Sequence, residues 1–314
     1  MDRSIQKVLT MTNLITPSSA QTLADHRSRL QRVAVDGGDL AYLDSGPKDG
    51  HPVVLLHGMP TSSWLYRDVA ARLATLGVRA IAPDLLGFGA SDKPHDPQTY
   101  TVRRQADRLV SLLDYLALPA ATFAVHDLGG PWTFEVAERH PERIAGLVVL
   151  NTSAYADLMT PPREARMVGG PAGPLMLRFM GSGAGRPMIR KFFADFTHTG
   201  GNLSREATDG HWQPLHEGGT RAFRAFAVEL DAMMAQFAHH AEALRRLDVP
   251  ATVIWGTADP VLRHERLVPR FVADLRINPE DVHLLHDASH FLQEDRPDDI
   301  ADLIAAFVGR LPLS

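Results

Sequence analysis

Three side chains, Asp127, Asp259 and His290, each stand just past a short apolar run, and together they could carry nucleophilic catalysis. Asp127 lies in Ala124-Val125-His126-Asp127-Leu128-Gly129-Gly130, between a buried strand read over 122–125 and a helix read near 129–140. A residue on so sharp a strand-to-helix turn is held in a strained backbone conformation with its side chain clear of the sheet. Small residues must follow, so that the turn packs against the new helix. The plainer reading is an aspartate that N-caps the helix. Two later elements favour the first. Ile254-Trp255-Gly256-Thr257-Ala258-Asp259-Pro260 ends a buried strand with an acid just beyond a glycine turn, and Asp287-Ala288-Ser289-His290-Phe291 puts a histidine past the last strand. Read singly, Asp259 is a turn residue and His290 a hydrogen-bonded loop histidine. Read in the order nucleophile, acid, base, each at the end of its own strand, they make a triad.

A carboxylate nucleophile suits attack on an sp³ carbon, displacing a halide or opening a strained ring and leaving an ester on the protein. His290 would then take a proton from the water that attacks that ester, with Asp259 orienting the imidazole. The oxyanion needs backbone donors, and Met59, in the loop His57-Gly58-Met59-Pro60 after the strand 53–56, and Leu128 are placed to supply them. His57 reads as a brace for that loop. The leaving group needs donors from outside the triad, for which Tyr155, Trp132, Trp212, His211 and His198 are the side chains considered, against a default reading of each as core or surface. The methionines at 159, 167, 176, 180, 188, 233 and 234 suggest either an adaptable apolar pocket wall or plain packing. An apolar pocket would take an uncharged substrate.

Positioning these residues calls for a sheet. Apolar runs at 30–35 and 40–43 read as a hairpin around Asp36-Gly37-Gly38. Runs at 53–56, 79–82, 122–125, 147–150, 251–255 and 282–285 alternate with helix-length segments near 63–76, 101–116, 129–140, 264–273 and 297–310. Strands apolar on both faces, each followed by a helix, require a mostly parallel sheet covered on both sides. The expected fold is therefore α/β, with eight strands. Between 154 and 240 the alternation stops in a stretch rich in Gly, Pro and Met, with helical patterns at 187–196 and 220–238. It is read as a helical lid over the C-terminal edge of the sheet, where ligands bind in open α/β folds. The core is then 31–153 plus 241–314, and 1–30 is an N-terminal extension.

Composition narrows the class. A net charge of −5 over 314 residues, with basic residues no more clustered than the pairs Arg103-Arg104 and Arg245-Arg246, argues against a nucleic-acid partner. The absence of cysteine excludes disulfides, thiolate chemistry and Cys-ligated zinc. No cofactor or metal is expected. No apolar run approaches the length of a membrane span or a signal peptide, so a cytoplasmic protein without membrane contact is the default. The oligomeric state is left open.

The segments His57-Gly58-Met59-Pro60-Thr61-Ser62-Ser63-Trp64-Leu65-Tyr66-Arg67, Pro83-Asp84-Leu85-Leu86-Gly87-Phe88-Gly89-Ala90-Ser91-Asp92-Lys93-Pro94 and Ser289-His290-Phe291-Leu292-Gln293-Glu294-Asp295 resemble the haloalkane dehalogenases and related epoxide hydrolases of the α/β-hydrolase superfamily. The resemblance covers about 30–153 and 248–310. It implies the α/β-hydrolase fold and hydrolysis through an ester on Asp127. Asn151 stands where some dehalogenases carry their acid, which favours Asp259 for that role. Two departures stand out. Haloalkane dehalogenases follow the nucleophile with a Trp that binds the halide, and often place a second donor at the position of Met59; this chain has Leu128 and a methionine, which cannot donate. Epoxide hydrolases need lid tyrosines, and here the lid region holds only Tyr155. Carbon–halogen hydrolysis is the first expectation, epoxide hydrolysis to a diol the second, and a non-catalytic binding protein the third.

Overall fold

The computed structural model describes residues 21–159, 163–198 and 203–311. Most of the N-terminal extension expected over 1–30 lies outside them, and its described end is a short helix, α1 (Leu23–Ser28), capped by Thr22. Eight strands follow: β1 (Gln31–Val35), β2 (Gly38–Ser45), β3 (Pro52–Leu56), β4 (Arg79–Asp84), β5 (Ala121–His126), β6 (Ile144–Leu150), β7 (Ala251–Gly256) and β8 (Val282–Leu285). They form one sheet in the order β1-β2-β4-β3-β5-β6-β7-β8. Strand β2 alone runs against the rest, pairing antiparallel with β1 and β4, while β4, β3, β5, β6, β7 and β8 are parallel.

The continuous apolar runs are explained by burial on both faces. Along β3, Val54 and Leu56 enter one core, and Val53 and Leu55 enter the other; β5 divides in the same way, Phe123 and Val125 against Ala124. Two-residue periodicity carries the chain through two hydrophobic layers, so each strand is apolar throughout. Helices α2 (Arg67–Thr75) and α13 (Pro297–Val308) pack together, as do α3 (Val102–Tyr115) and α4 (Gly129–Arg139). The remaining core helices are α11 (His264–Leu275) and the single turn α12 (Leu292–Asp295).

From β3 the chain steps outward to β4 and then crosses back to β5, so a crevice opens where β3 and β5 lie side by side. Ligands bind at such a switch point in open α/β sheets. Here it holds Met59, just past β3, and Asp127, just past β5. Between β6 and β7 the chain forms the helices α5 (Arg163–Gly169), α6 (Gly173–Met180), α7 (Arg186–Asp195), α8 (Arg205–Pro214), α9 (Thr220–Val228) and α10 (Leu230–Arg246). The helix read over 220–238 is two helices broken at Glu229, and the second runs on into the core, packing against α4. No helix among the described residues is long and apolar enough to cross a membrane.

Candidate active site

Asp127 has φ +50°, a left-handed conformation that a branched polar side chain adopts only where the surroundings enforce it. The enforcement is local. Asp127 N–H donates to Asn151 O (3.0 Å), the Thr152 hydroxyl donates to Asp127 O (2.6 Å), and Gly130 N–H donates to Asp127 O (3.1 Å). The turn needs its small residues: a Cβ on Gly129 would stand 2.6 Å from Leu56 O, and one on Gly130 would overlap the Thr152 side chain. Gly58 is constrained by the same approach, since a Cβ there would overlap the Asp127 carboxylate. The N-cap reading of Asp127 fails, because Leu128 holds the cap position of α4 with no side-chain cap.

The carboxylate sits between a backbone amide and an imidazole. Met59 N–H donates to Asp127 Oδ1 at 2.7 Å, and His290 Nε2 lies 3.8 Å from Asp127 Oδ2. That second separation exceeds a hydrogen bond and leaves the imidazole beside the carboxyl group, where a water touching both would lie. Leu128 N–H has no acceptor among the described residues. His57 is buried: Leu85 N–H donates to its Nε2, so Nδ1 carries the proton and donates to Gly58 O at 2.8 Å. Burial holds its pKa down, and the neutral ring ties the Met59 loop to β4.

Behind His290 the supports are dense. His290 Nδ1–H donates to Asp259 Oδ2 at 2.8 Å, which leaves the Nε2 lone pair facing Asp127 in the neutral ring. Asp259 Oδ2 also accepts from Asn151 Nδ2 (2.9 Å), and Oδ1 accepts the Val261 and Leu262 amides at 2.8 and 2.9 Å. Burial opposes the charge on Asp259, but the His290 charge and these hydrogen bonds outweigh it and keep its pKa below the ordinary value. For His290, burial favours the neutral ring, while the charge and hydrogen bond of Asp259 and the charge of Asp127 prevail and raise its pKa. His126 Nε2–H donates to His290 O at 2.8 Å, fixing the loop from below; burial keeps this ring neutral.

The site opens into a cavity of about 490 Å³. Its walls are apolar, with Phe192, Phe196, Phe223, Phe226 and Phe237 facing Leu128 and Met59. Met159, Met188 and Met233 also line it, whereas Met167 is solvent-exposed and Met176, Met180 and Met234 pack elsewhere. Beyond Asp127 and His290, polar side chains among the described residues come only from Ser153 and from Lys191 and Asp195, which pair with each other at 2.7 Å on α7.

The leaving-group residues considered from sequence are not brought to this cavity. Tyr155 turns into the core against Phe271, 5.0 Å between ring centres, beneath the Arg270 guanidinium. Trp132 is buried among His57, Phe88 and Phe226. Trp212 donates its indole N–H to Met180 O and stacks on His216. His211 stacks on Phe193 and donates to Glu294, and His198 is exposed. Each has a side chain that can donate, but four are packed away from the cavity and His198 faces solvent. Asn151 and His126, in turn, went unread as supports. Their signal was their place, on the strand ends flanking the turn. One group among the described residues has metal-ligand types at close range, Glu135, Glu138 and His240, on α4 and α10. It lies outside the cavity lining and Glu135 is already engaged, with His240 Nε2 3.4 Å from one of its oxygens and the Arg139 guanidinium 3.8 Å from the other.

Comparison with known proteins agrees with this geometry. A family model described as the alpha/beta hydrolase fold matches residues 51–297, and the chain belongs to that family. A haloalkane dehalogenase of Mycolicibacterium paratuberculosis is 34% identical over 274 residues, covering 85% of this chain and 86% of its own. Within the family, therefore, the chain is a hydrolase of the haloalkane dehalogenase group. The crystal structure of a haloalkane dehalogenase from Bradyrhizobium elkani superposes with a TM-score of 0.75 at 23% identity, over 89% of this chain and 97% of that one. The epoxide hydrolase CorEH gives 0.70 at 20% identity, over 89% and 98%. At such identities these two speak to the fold alone.

Proposed function

We propose that this enzyme hydrolyses carbon–halogen bonds of uncharged, largely apolar molecules through an alkyl ester on Asp127. The observation that carries the reading is the Asp127 carboxylate itself. It is held at positive φ, one oxygen on Met59 N–H and the other 3.8 Å from His290 Nε2, at the floor of an apolar cavity. Asp127 attacks the halogen-bearing carbon and halide departs. Water, deprotonated by His290, then attacks the ester carbonyl, whose oxygen takes the Met59 and Leu128 amides. Alcohol leaves, and Asp127 is restored.

Halide loss is favoured over epoxide opening by the cavity walls. An epoxide oxygen departs as a strongly basic alkoxide and must be given a proton, whereas halide leaves as a stable anion. Among the described residues, no tyrosine lines this cavity. A cytoplasmic setting with water as the second reactant belongs to the same proposal.

Mutation of the base tests the reading. His290→Ala incubated with bromo- and chloroalkanes should accumulate an alkyl mass increment on the peptide bearing Asp127. Turnover should fall by roughly two or more orders of magnitude. Wild-type protein that releases no halide, together with a His290→Ala protein that never gains the mass, would refute it.

A further inference from the structure

The proposed reaction leaves one requirement unmet by the triad: charge accumulates on the departing halogen, and the walls that receive it are phenylalanine, leucine and methionine. Two further polar residues line the cavity besides the lone hydroxyl of Ser153, and both stand at its solvent-exposed side. Lys191 and Asp195 are 75% and 53% exposed in their side chains and bonded to each other. Ser153 is different. It is 4% exposed and follows Asn151 and Thr152, which hydrogen-bond the Asp127 main chain on either side.

The Ser153 hydroxyl is also uncommitted as a donor. Its oxygen accepts Tyr155 N–H at 3.1 Å, which fixes the side chain. Its proton has only Tyr155 O, at 3.5 Å, well beyond the ordinary range of about 2.7–2.8 Å for O–H···O. A buried hydroxyl with its oxygen anchored and its proton loosely held is suited to turn that proton toward an anion.

We infer that Ser153 is the halide's hydrogen-bond donor, the role for which no indole is available in this cavity. The inference rests on the reading of Asp127 as nucleophile. As the bond from an Asp127 oxygen to carbon forms, the carbon–halogen bond breaks and the halogen takes both electrons. Ser153 keeps its proton and donates a hydrogen bond to the halide. A neutral hydroxyl supplies less stabilisation than a pair of N–H groups, so the enzyme takes bromides and iodides much more readily than chlorides, whose denser charge depends more on the donor.

The test measures Asp127 alkylation in the His290→Ala protein by rapid quench and mass spectrometry, with 1-bromohexane and 1-chlorohexane. Adding Ser153→Ala should slow alkylation by the chloride about tenfold to a hundredfold, the scale of one hydrogen bond to a charged group. It should slow the bromide less, so the bromide-to-chloride ratio rises; Ser153→Thr, which keeps the hydroxyl, should restore it. Equal slowing of both halides, or no slowing, would overturn the role of Ser153 while leaving the nucleophile intact. Absence of any adduct in the His290→Ala parent would overturn both.

Discussion

At the residue scale the proposed cycle asks two incompatible things of His290. Its neighbours raise its pKa, favouring the imidazolium, yet a general base must be neutral. The resolution lies in the nucleophile. Once Asp127 is an ester it has lost its charge, and one of the influences raising the His290 pKa disappears with it. Alkylation thus lowers the pKa of the base at the step where the base is needed. The expected consequence has a definite sign. Ester hydrolysis falls as pH drops and His290 gains a proton, but its midpoint lies below the midpoint at which His290 titrates in the free enzyme. Single-turnover hydrolysis against pH, set beside an NMR titration of His290 in unreacted protein, gives both values. Coincident midpoints would show that the Asp127 charge has no part in it.

At the scale of elements, one buried network ties the insertion to the loop that carries His290. Glu294 on α12 takes a bidentate pair from Arg67 of α2 at 2.6 and 2.7 Å, and accepts from His211 of α8 at 2.8 Å. Burial works against its charge, but Arg67 and His211 prevail and hold its carboxyl well below the usual range. Glu294→Gln would leave the Arg67 guanidinium, 11% exposed, with Trp64 O at 3.1 Å and the 48%-exposed Asp68 carboxylate at 3.3 Å, and should cost about 3 kcal/mol in urea unfolding at neutral pH. A carboxylate with a depressed pKa stabilises above the ordinary glutamate range and loses that contribution as pH falls. The gap between wild type and variant should therefore shrink on acidification; a constant gap would mean that charge is not what the network supplies. None of this was legible in the sequence, where Glu294 was one residue of a family-like segment and His211 a possible leaving-group donor. The strands were legible because two-sided burial writes them as unbroken apolar runs, and the candidate catalytic residues stand just past their ends. The helices at 187–196 and 220–238 were legible too, but not their packing, since helical periodicity shows that a face is buried but not against what. Phe192, Phe223, Phe226 and Phe237 line the cavity from helices, and Phe196 from the residue after α7, in sequences that single none of them out. Ser153 was passed over two residues before Tyr155 because a serine after a strand has many ordinary uses.

At the scale of the whole molecule, α1 rests on both halves. His26 is 2% exposed, with Nε2 at 2.9 Å from the Ser63 hydroxyl and its ring edge-on to Trp64 in the core. From the same helix Leu23 N–H donates to Glu206, and Arg27 makes a bidentate pair with Glu217, both in the insertion. Burial lowers the His26 pKa to about 4, with nearby arginines adding to the effect and Asp84 opposing it. An undocked His26 would titrate near 6.5, so the released helix binds more protons than the docked one in the interval between. Docking therefore weakens as pH falls through that interval, by about 2 kcal/mol at pH 5, or roughly thirtyfold in the docking equilibrium. Glu217 keeps its charge between pH 7 and pH 5, since Arg27 and Gln213 hold its pKa below the ordinary value against the effect of burial. Hydrogen exchange at residues 23–28, corrected for intrinsic rates, should accelerate between pH 7 and pH 5 in wild type and stay flat in His26→Gln, which cannot titrate. The same acceleration in both proteins would trace the release to another group and leave His26 a packing residue only.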